Sequence, residues 1–146
     1  MTSNAIVWFR QDLRLADNPA FADASRDHDV VIPIYILDET ATSIGGAQQW
    51  WLHHSLASLD TGLKKLGLNL CLRQGKALDV LKQLVDDYHI ESIYWNRCYD
   101  PVSIERDTVI KKVFQTGGIR IVSTNGSLLH EPWRIKNMSG HFFKVF

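Results

Sequence analysis

The stretch AIVWFRQDLRLADNPAF, residues 5–21, decides the fold class of this chain. Five apolar residues lead directly into a polar run that begins at Arg10, and Asn18 stands immediately before Pro19. Asn is a favoured N-cap and Pro a favoured first helical residue, so the stretch is typical of a strand, a polar loop and a helix. It predicts a strand over residues 5–9 and a helix over residues 19–26, the opening of a βαβ unit.

The same alternation of apolar runs and helical periodicity continues along the chain and predicts an α/β fold. Further strands are predicted over residues 30–37, 69–73, 92–96 and 119–123, and further helices over residues 48–66, 76–88 and 101–115. This pattern indicates a doubly wound, Rossmann-like fold: a five-stranded parallel sheet in the order 3-2-1-4-5, flanked by helices. Because Pro33 cannot donate a ladder hydrogen bond, we expect a bulge or a missing pairing in the second strand.

The domain boundary is predicted near Asn125. Residues 1–125 form the α/β domain, and residues 126–146 are interpreted as the start of an interdomain linker. This last part has no long periodic segment and ends in HFFKVF, residues 141–146. Since termini are usually polar and mobile, we expect that the chain is cut short before a further domain.

Composition and charge exclude several classes of protein. Sixteen Lys and Arg balance sixteen Asp and Glu, whereas a surface that grips nucleic acid usually has a basic excess. The first ten residues lack a secretory signal, and the longest apolar run, residues 30–37, is too short to cross a bilayer. We therefore expect a cytoplasmic protein without membrane contact. Cys71 and Cys98 are predicted to be buried, inert thiols.

Sequence motifs for several chemistries are missing. Neither GxGxxG nor GxxxxGK[ST] follows the first strand, and no GxSxG occurs. His53 and His54 are neighbours on a predicted helix and point about 100° apart, so both cannot reach one metal ion. We predict no catalytic residue and no metal site in this chain.

A ligand crevice is predicted at one edge of the sheet. In open parallel sheets ligands bind beyond the carboxyl ends of the strands, where the strand order reverses. Polar loops follow the first and fourth strands, so the crevice is expected between residues 9–12, 37–38 and 96–100, with Asn96 and Arg97 as the best polar contacts. The predicted ligand-binding residues are Phe9, Arg10, Gln11, Asp38, Asn96, Arg97, Tyr99 and Asp100.

Structural roles compete with this interpretation. Arg10, Asp12 and Arg14 are able to pair with one another and with Asp17, which would simply hold the loop. The aromatic pair at residues 50–51, near the start of the long helix, is expected to be a packing feature. The residues alone thus predict a crevice ligand without identifying it.

The opening stretch also resembles a known signature. The run VWFRQDLRL, residues 7–15, followed by Asp17-Asn18-Pro19, is similar to the opening of the photolyase/cryptochrome family. The similarity continues through WWLHHSL at 50–56, YWNR at 94–97, YDP at 99–101 and Glu131-Pro132. In order and spacing it covers the whole chain, and it looks most like the bacterial branch of cyclobutane pyrimidine dimer photolyases close to plant cryptochromes.

That resemblance implies a two-domain blue-light protein. The present chain would be its antenna-chromophore domain, and a missing C-terminal helical domain would hold FAD and the DNA-lesion pocket. The whole protein would be a light-driven deoxyribodipyrimidine photo-lyase, a carbon–carbon lyase acting on UV-damaged DNA with the lesion flipped out of the duplex. It is expected to be a monomer, and the fragment alone is expected to be inactive.

Two antenna chromophores and two other functions stay open. The resemblance favours methenyltetrahydrofolate over a deazaflavin, because deazaflavin-binding members tend to have Arg at the positions of Gln11 and Gln49 and an acidic residue at that of Cys98. Other bacterial photolyases have Asn-Glu in their folate pocket where this chain has Val102-Ser103. A cryptochrome-type photoreceptor is the alternative within the family, and a freestanding nucleotide-binding α/β module is the alternative outside it.

Overall fold

The computed structural model describes residues 2–38 and 44–141 and shows an α/β domain. The strands are β1 (Asn4–Phe9), β2 (Val30–Leu37), β3 (Cys71–Gln74), β4 (Ser92–Asn96) and β5 (Arg120–Thr124). The helices are α1 (Pro19–Asp27), α2 (Gly46–Lys65), α3 (Ala77–Tyr88) and α4 (Pro101–Thr116), followed by a 3₁₀ turn at Pro132–Arg134. All neighbouring strands are parallel, in the order β3-β2-β1-β4-β5. The predicted fold class and strand order are confirmed.

The two faces of the sheet explain the strictly apolar first strand. Successive side chains of a strand point to opposite faces. Ala5, Val7 and Phe9 therefore pack against α1 and α2, whereas Ile6 and Trp8 pack against α3 and α4. Since β1 is the middle strand, both of its faces are covered, and the sequence shows an apolar run rather than an alternation.

Capping residues fix where two helices at the rim of the sheet begin. The side chain of Asn18 accepts a hydrogen bond from the Phe21 amide at 3.1 Å, so its predicted role as the N-cap of α1 is confirmed. Asp100 does the same for α4, where its carboxylate accepts from the Ser103 amide at 2.9 Å. Both helices begin with Pro. Each therefore starts at a defined position directly after a strand end.

The predicted irregularity at Pro33 is confirmed as a missing pairing on the β3 side of β2, without a bulge. β2 pairs with β1 in continuous register, with Pro33 opposite Val7. The ladder between β2 and β3 begins only at Ile34. Pro33 thus precedes that ladder and does not interrupt it, which is why the strand tolerates a residue without an amide hydrogen.

The helices give no sign of a membrane segment. Within residues 2–38 and 44–141, no helix is both long and apolar enough to cross a bilayer.

Candidate functional site

A cleft of about 820 Å³ opens at the carboxyl ends of β1 and β2. The loop after β1, the end of β2, the first turns of α2 and the start of α4 form its walls. Its polar lining includes Arg10, Gln11, Arg14, Asp38, Gln48, Ser55, Ser103 and Arg106, and its apolar lining includes Trp8, Leu13, Tyr35, Ile36, Trp51 and Leu52. This volume lies within the range of small-molecule sites, about 300–1,000 Å³.

One face of α2 supplies a wall of this cleft. Gln48, Trp51, Leu52 and Ser55 all line it, and their spacing of three, four and seven residues places them on one side of a helix. The same side continues into the core at Leu59 and Leu63 (buried). The sequence predicts this helix but not the wall, although the polar and aromatic residues that precede the buried leucines on one helical face were a usable signal.

The two adjacent tryptophans of α2 do not pack in the core. Trp50 is 61% exposed and Trp51 69% exposed, so the packing role expected from the sequence is wrong for the described residues. Trp51 lines the cleft, and Trp50 instead contacts His54, with ring centroids 4.2 Å apart and ring planes inclined by 58°. A large aromatic face at the mouth of a cleft is able to stack on a planar ligand.

Arg10 is a buried strut rather than a free cation. Its guanidinium donates to both carboxylate oxygens of Asp107 on α4 at 2.7 Å and to the carbonyl of Asn96. The side chains of Arg10 and Asp107 are 7% and 9% exposed, and the guanidinium also lies 4.7 Å from the ring centre of Trp8. The pair therefore ties β1, β4 and α4 together below the cleft.

The alternative that Arg10, Asp12 and Arg14 simply hold the loop after β1 is confirmed in part. The Arg10 amide donates to Asp12, and Arg14 donates to the carbonyls of Asp17 and Gly126. The guanidinium of Arg10, however, pairs with Asp107 and not with a residue of its own loop. Asp107 comes within reach of Arg10 only through the order of the strands in the folded sheet. The loop sequence alone therefore could not predict this pair.

Arg106 forms the cleft wall on the α4 side. It donates to Asp38 at 2.8 Å, and its guanidinium lies 5.1 Å from the ring centre of Trp8. The Nε atoms of Arg10 and Arg106 are buried and have no hydrogen-bond partner among the described residues. Arg106 Nε also lies 3.5 Å from a carboxylate oxygen of Asp107, and both Nε atoms are enclosed by the chain, so neither is open to a ligand in the cleft.

Two carboxamides at the cleft are available to a ligand. Gln11 and Gln48 line it and are exposed. No hydrogen bond engages either side chain within residues 2–38 and 44–141. A carboxamide offers two donors and an acceptor in one plane, which suits the edge of a heteroaromatic ring.

Asn96, one of the two best predicted contacts, lies outside this cleft as a buried hub. Its amide donates to Asp12 and Asn18, and its oxygen accepts from the Ala20 amide and the Thr124 hydroxyl. The side chain thus uses all its hydrogen-bonding capacity inside the chain. It joins the β1 loop, the start of α1 and the end of β5, and leaves nothing for a ligand.

Arg97 and Tyr99 converge on Glu131 instead of the cleft. Glu131 accepts from Nε and Nη2 of Arg97 and from the Tyr99 hydroxyl. Phe9 is fully buried in the core between the sheet and α1–α2, and Asp100 caps α4. Of the eight residues predicted to bind ligand, only Arg10, Gln11 and Asp38 line the cleft.

The two cysteine thiols differ in how deeply they are buried. Cys98 is buried, and burial raises the pKa of its thiol, which fits the predicted inert cysteine. Cys71, at the start of the edge strand β3, is only partly buried, so full burial was wrong for that residue.

The fold and site together define a doubly wound α/β domain with a ligand-sized cleft at the carboxyl rim of its sheet. The sequence profile of the DNA photolyase family matches residues 5–146. The chain therefore belongs to the DNA photolyase family.

Named relatives agree with this placement. The chain is 43% identical to a deoxyribodipyrimidine photo-lyase of Agrobacterium fabrum, over 99% of this chain and 30% of that protein. It is 38% identical to cryptochrome-2 of Arabidopsis thaliana, over 100% of this chain and 24% of that protein. The crystal structure of a bacterial class III photolyase from Agrobacterium tumefaciens superposes with a TM-score of 0.93 at 43% identity, covering 99% of this chain and 30% of that one. This chain thus spans about a third or less of the relatives it matches, and corresponds to the N-terminal region of the class III enzyme.

Proposed function

We propose that this chain is the antenna-chromophore domain of a light-driven deoxyribodipyrimidine photo-lyase that repairs cyclobutane pyrimidine dimers in UV-damaged DNA. Members of its family bind FAD together with an antenna chromophore. The observation that carries the proposal is the cleft at the ends of β1 and β2, which is large enough for one planar cofactor.

The residues of the cleft fit an antenna better than a reaction centre. The ring of Trp51 offers a stacking surface, and the carboxamides of Gln11 and Gln48 offer in-plane hydrogen bonds. The guanidinium groups of Arg14 and Arg106, which line the cleft and are partly exposed, suit a carboxylate or carbonyl oxygen. An antenna absorbs light and passes the energy on without forming bonds, so it needs a rigid slot and no nucleophile.

Among antenna chromophores, these groups favour methenyltetrahydrofolate. A pterin ring has donors and acceptors along one edge that match a carboxamide, and the acidic tail of a folate matches an arginine-lined wall. In a deazaflavin-binding member, by the resemblance described above, Arg would replace Gln11. The bound chromophore would supply absorption in the near ultraviolet, and the chain's own residues would hold and orient it.

The loop after β1 lacks the glycine-rich motif of a classical dinucleotide site. A dinucleotide site in a doubly wound fold needs glycines after the first strand so that the backbone approaches the pyrophosphate. Here the bulky residues Arg10, Gln11 and Asp12 follow β1. We therefore assign FAD and the damaged DNA to a C-terminal domain, in the part of the relatives that this chain does not cover. The enzyme is proposed to work as a monomer in the cytoplasm, where bacterial DNA lies.

A cryptochrome-type photoreceptor is the second candidate. The 38% identity to a plant cryptochrome favours it, and the cleft would serve a photoreceptor equally well. Family membership leaves no support for a freestanding nucleotide-binding module.

Photorepair separates the two candidates. Full-length protein is mixed with DNA that contains thymine dimers, and dimer loss is measured in blue light and in the dark. A photolyase removes dimers only in light, and the 146-residue chain alone removes none. Light-independent loss, or loss with the short chain, contradicts the proposal, and absence of repair by flavin-loaded full-length protein favours the photoreceptor.

An action spectrum tests the antenna role. Gln48→Ala in full-length protein is expected to lower repair per incident photon in the absorption band of the antenna and to leave repair in the flavin band unchanged. Gln83→Ala is the matched control, because Gln83 is an exposed glutamine on α3 that does not line the cleft. Equal spectra for both variants would contradict a role of this cleft in light harvesting.

A further inference from the structure

Glu131 occupies a second polar cluster, at the carboxyl ends of β4 and β5. It is 6% exposed, although it belongs to an irregular segment after the last strand. Arg97 grips its carboxylate through Nε at 2.8 Å and through Nη2, and the Tyr99 hydroxyl donates to the same oxygen at 2.9 Å. An irregular segment rarely places a carboxylate inside a protein without such partners.

The groups that hold Glu131 are themselves anchored. Arg97 also donates through Nη1 to the carbonyl and hydroxyl of Ser123 at the end of β5. Its amide donates to the carbonyl of Thr124 at 2.8 Å. The guanidinium therefore joins three parts of the chain: the end of β4, the end of β5 and the segment that carries Glu131.

Trp133 covers this cluster from outside. Its ring lies 6.0 Å from that of Tyr99 and 5.9 Å from the guanidinium of Arg97. It closes a small cavity of about 120 Å³ against α4, next to Ile104 and Lys111. The 3₁₀ turn that contains Trp133 begins directly after Glu131, and the Arg134 amide donates to the Glu131 carbonyl at 2.9 Å.

Contact with the domain ends soon after this turn. Ile135 is 46% exposed and Met138 is fully exposed. The hydrogen bonds given by the Ser139 and His141 amides go to the side chain of Asn137, within the same segment. Among the described residues, Glu131 and Trp133 are thus the last with a hydrogen bond, ion pair or ring contact to the α/β domain.

We propose that Glu131, held by Arg97 and Tyr99, is a latch that fixes where and in which direction the chain leaves the α/β domain. Residues beyond the latch lead toward the part of the relatives that this chain does not span, so the latch sets how that part is oriented on the domain. Burial alone would raise the pKa of Glu131, but hydrogen bonds from Arg97 and Tyr99 outweigh burial and hold the pKa below its ordinary value. The carboxylate therefore stays ionised and gripped at neutral pH.

The first test measures hydrogen exchange in full-length protein. Glu131→Gln keeps the shape of the side chain and removes its charge, so exchange at the amides of residues 133–135 is expected to rise about tenfold or more while amides of β4 and β5 stay protected. Glu105→Gln is the matched control, since Glu105 is an exposed glutamate on α4. Unchanged exchange at 133–135, or an equal rise across β4 and β5, would overturn the latch.

The second test asks whether the latch positions the rest of the protein. A dye is attached at an introduced cysteine, Ser58→Cys, on the exposed side of α2, and energy transfer to the flavin is measured. Glu131→Gln is expected to broaden or shift the transfer efficiency, and Glu105→Gln to leave it unchanged; equal efficiencies for both would overturn the positioning role. Only this second test rests on the proposed flavin domain, and neither test needs an antenna chromophore. A failure of the latch is therefore distinguishable from a failure of the antenna proposal.

Discussion

Two polar clusters lie on the same rim of the sheet and differ in what fills them. At the ends of β1 and β2, Gln11 and Gln48 have no hydrogen-bond partner within the described residues, and the cluster opens into a cleft of about 820 Å³. At the ends of β4 and β5, Arg97 and Tyr99 meet a carboxylate from the chain itself. The difference teaches that polar side chains at a strand end indicate a ligand site only when no later segment of the chain supplies their hydrogen-bond partners.

The pair between Arg10 and Asp107 separates the two clusters, and breaking it has the largest expected effect. Asp107→Ala leaves a buried guanidinium without its partner and is expected to destabilise the chain by about 3–5 kcal/mol. The measurement is urea unfolding of the 146-residue chain followed by circular dichroism. Asp23→Ala, which removes one of the two carboxylate partners of the exposed Arg26, is the control and is expected to change the midpoint far less. Equal losses would show that Arg10 is not a buried strut.

A substitution at Gly126 tests how rigidly the Asn96 hub is held. A Cβ at position 126 would lie 2.5 Å from Cγ of Asn96, and Asn96 cannot move without breaking its four hydrogen bonds. Gly126→Ala is therefore expected to cost about 1–3 kcal/mol in the same unfolding assay. Gly46→Ala is the matched change in open space at the start of α2 and is expected to be neutral or slightly stabilising. A neutral Gly126→Ala would mean that the hub is not rigid.

The pH dependence of the latch is a smaller expected effect, and it concerns only the Glu131 cluster at the ends of β4 and β5. A carboxyl group with a lowered pKa in the folded state stabilises that state above its unfolded pKa, and this contribution is lost as the pH falls through the folded pKa. The latch is therefore expected to stay closed while the pH falls through 4.5, the ordinary Glu value, and to open below it. The chemical shift of the Arg134 amide reports this opening, and Glu131→Gln should abolish the transition. A transition at or above the ordinary Glu pKa would contradict the account.

The fold was predictable because its signals are local. The apolar run of β1, the cap at Asn18 and the helical periodicity of α2 each depend on residues close in sequence. The alternation of strands and helices predicted a doubly wound sheet in this order, and the predicted crevice lies at the rim where the structure has its cleft.

The side chains of the site were less predictable because their partners are distant in sequence. Asp107 lies 97 residues from Arg10, and Glu131 lies 34 residues from Arg97. No local pattern shows that the side chain of Arg97 has hydrogen-bond partners within the chain, or that the side chain of Gln11 has none among the described residues. Gln48 and Trp51 could have been found from the sequence, because they share one helical face with the buried Leu59.

The central claim is that an antenna chromophore binds in the open cleft, and the two adjacent tryptophans of α2 test it most directly. Trp50 and Trp51 are both exposed, but only Trp51 lines the cleft. Methenyltetrahydrofolate is titrated into full-length protein carrying Trp51→Ala or Trp50→Ala. The account predicts that Trp51→Ala raises Kd about tenfold or more, a loss of about 1.4 kcal/mol, and that Trp50→Ala leaves it within about twofold of the unmodified protein. Equal affinities for the two variants, or a larger loss with Trp50→Ala, would contradict it.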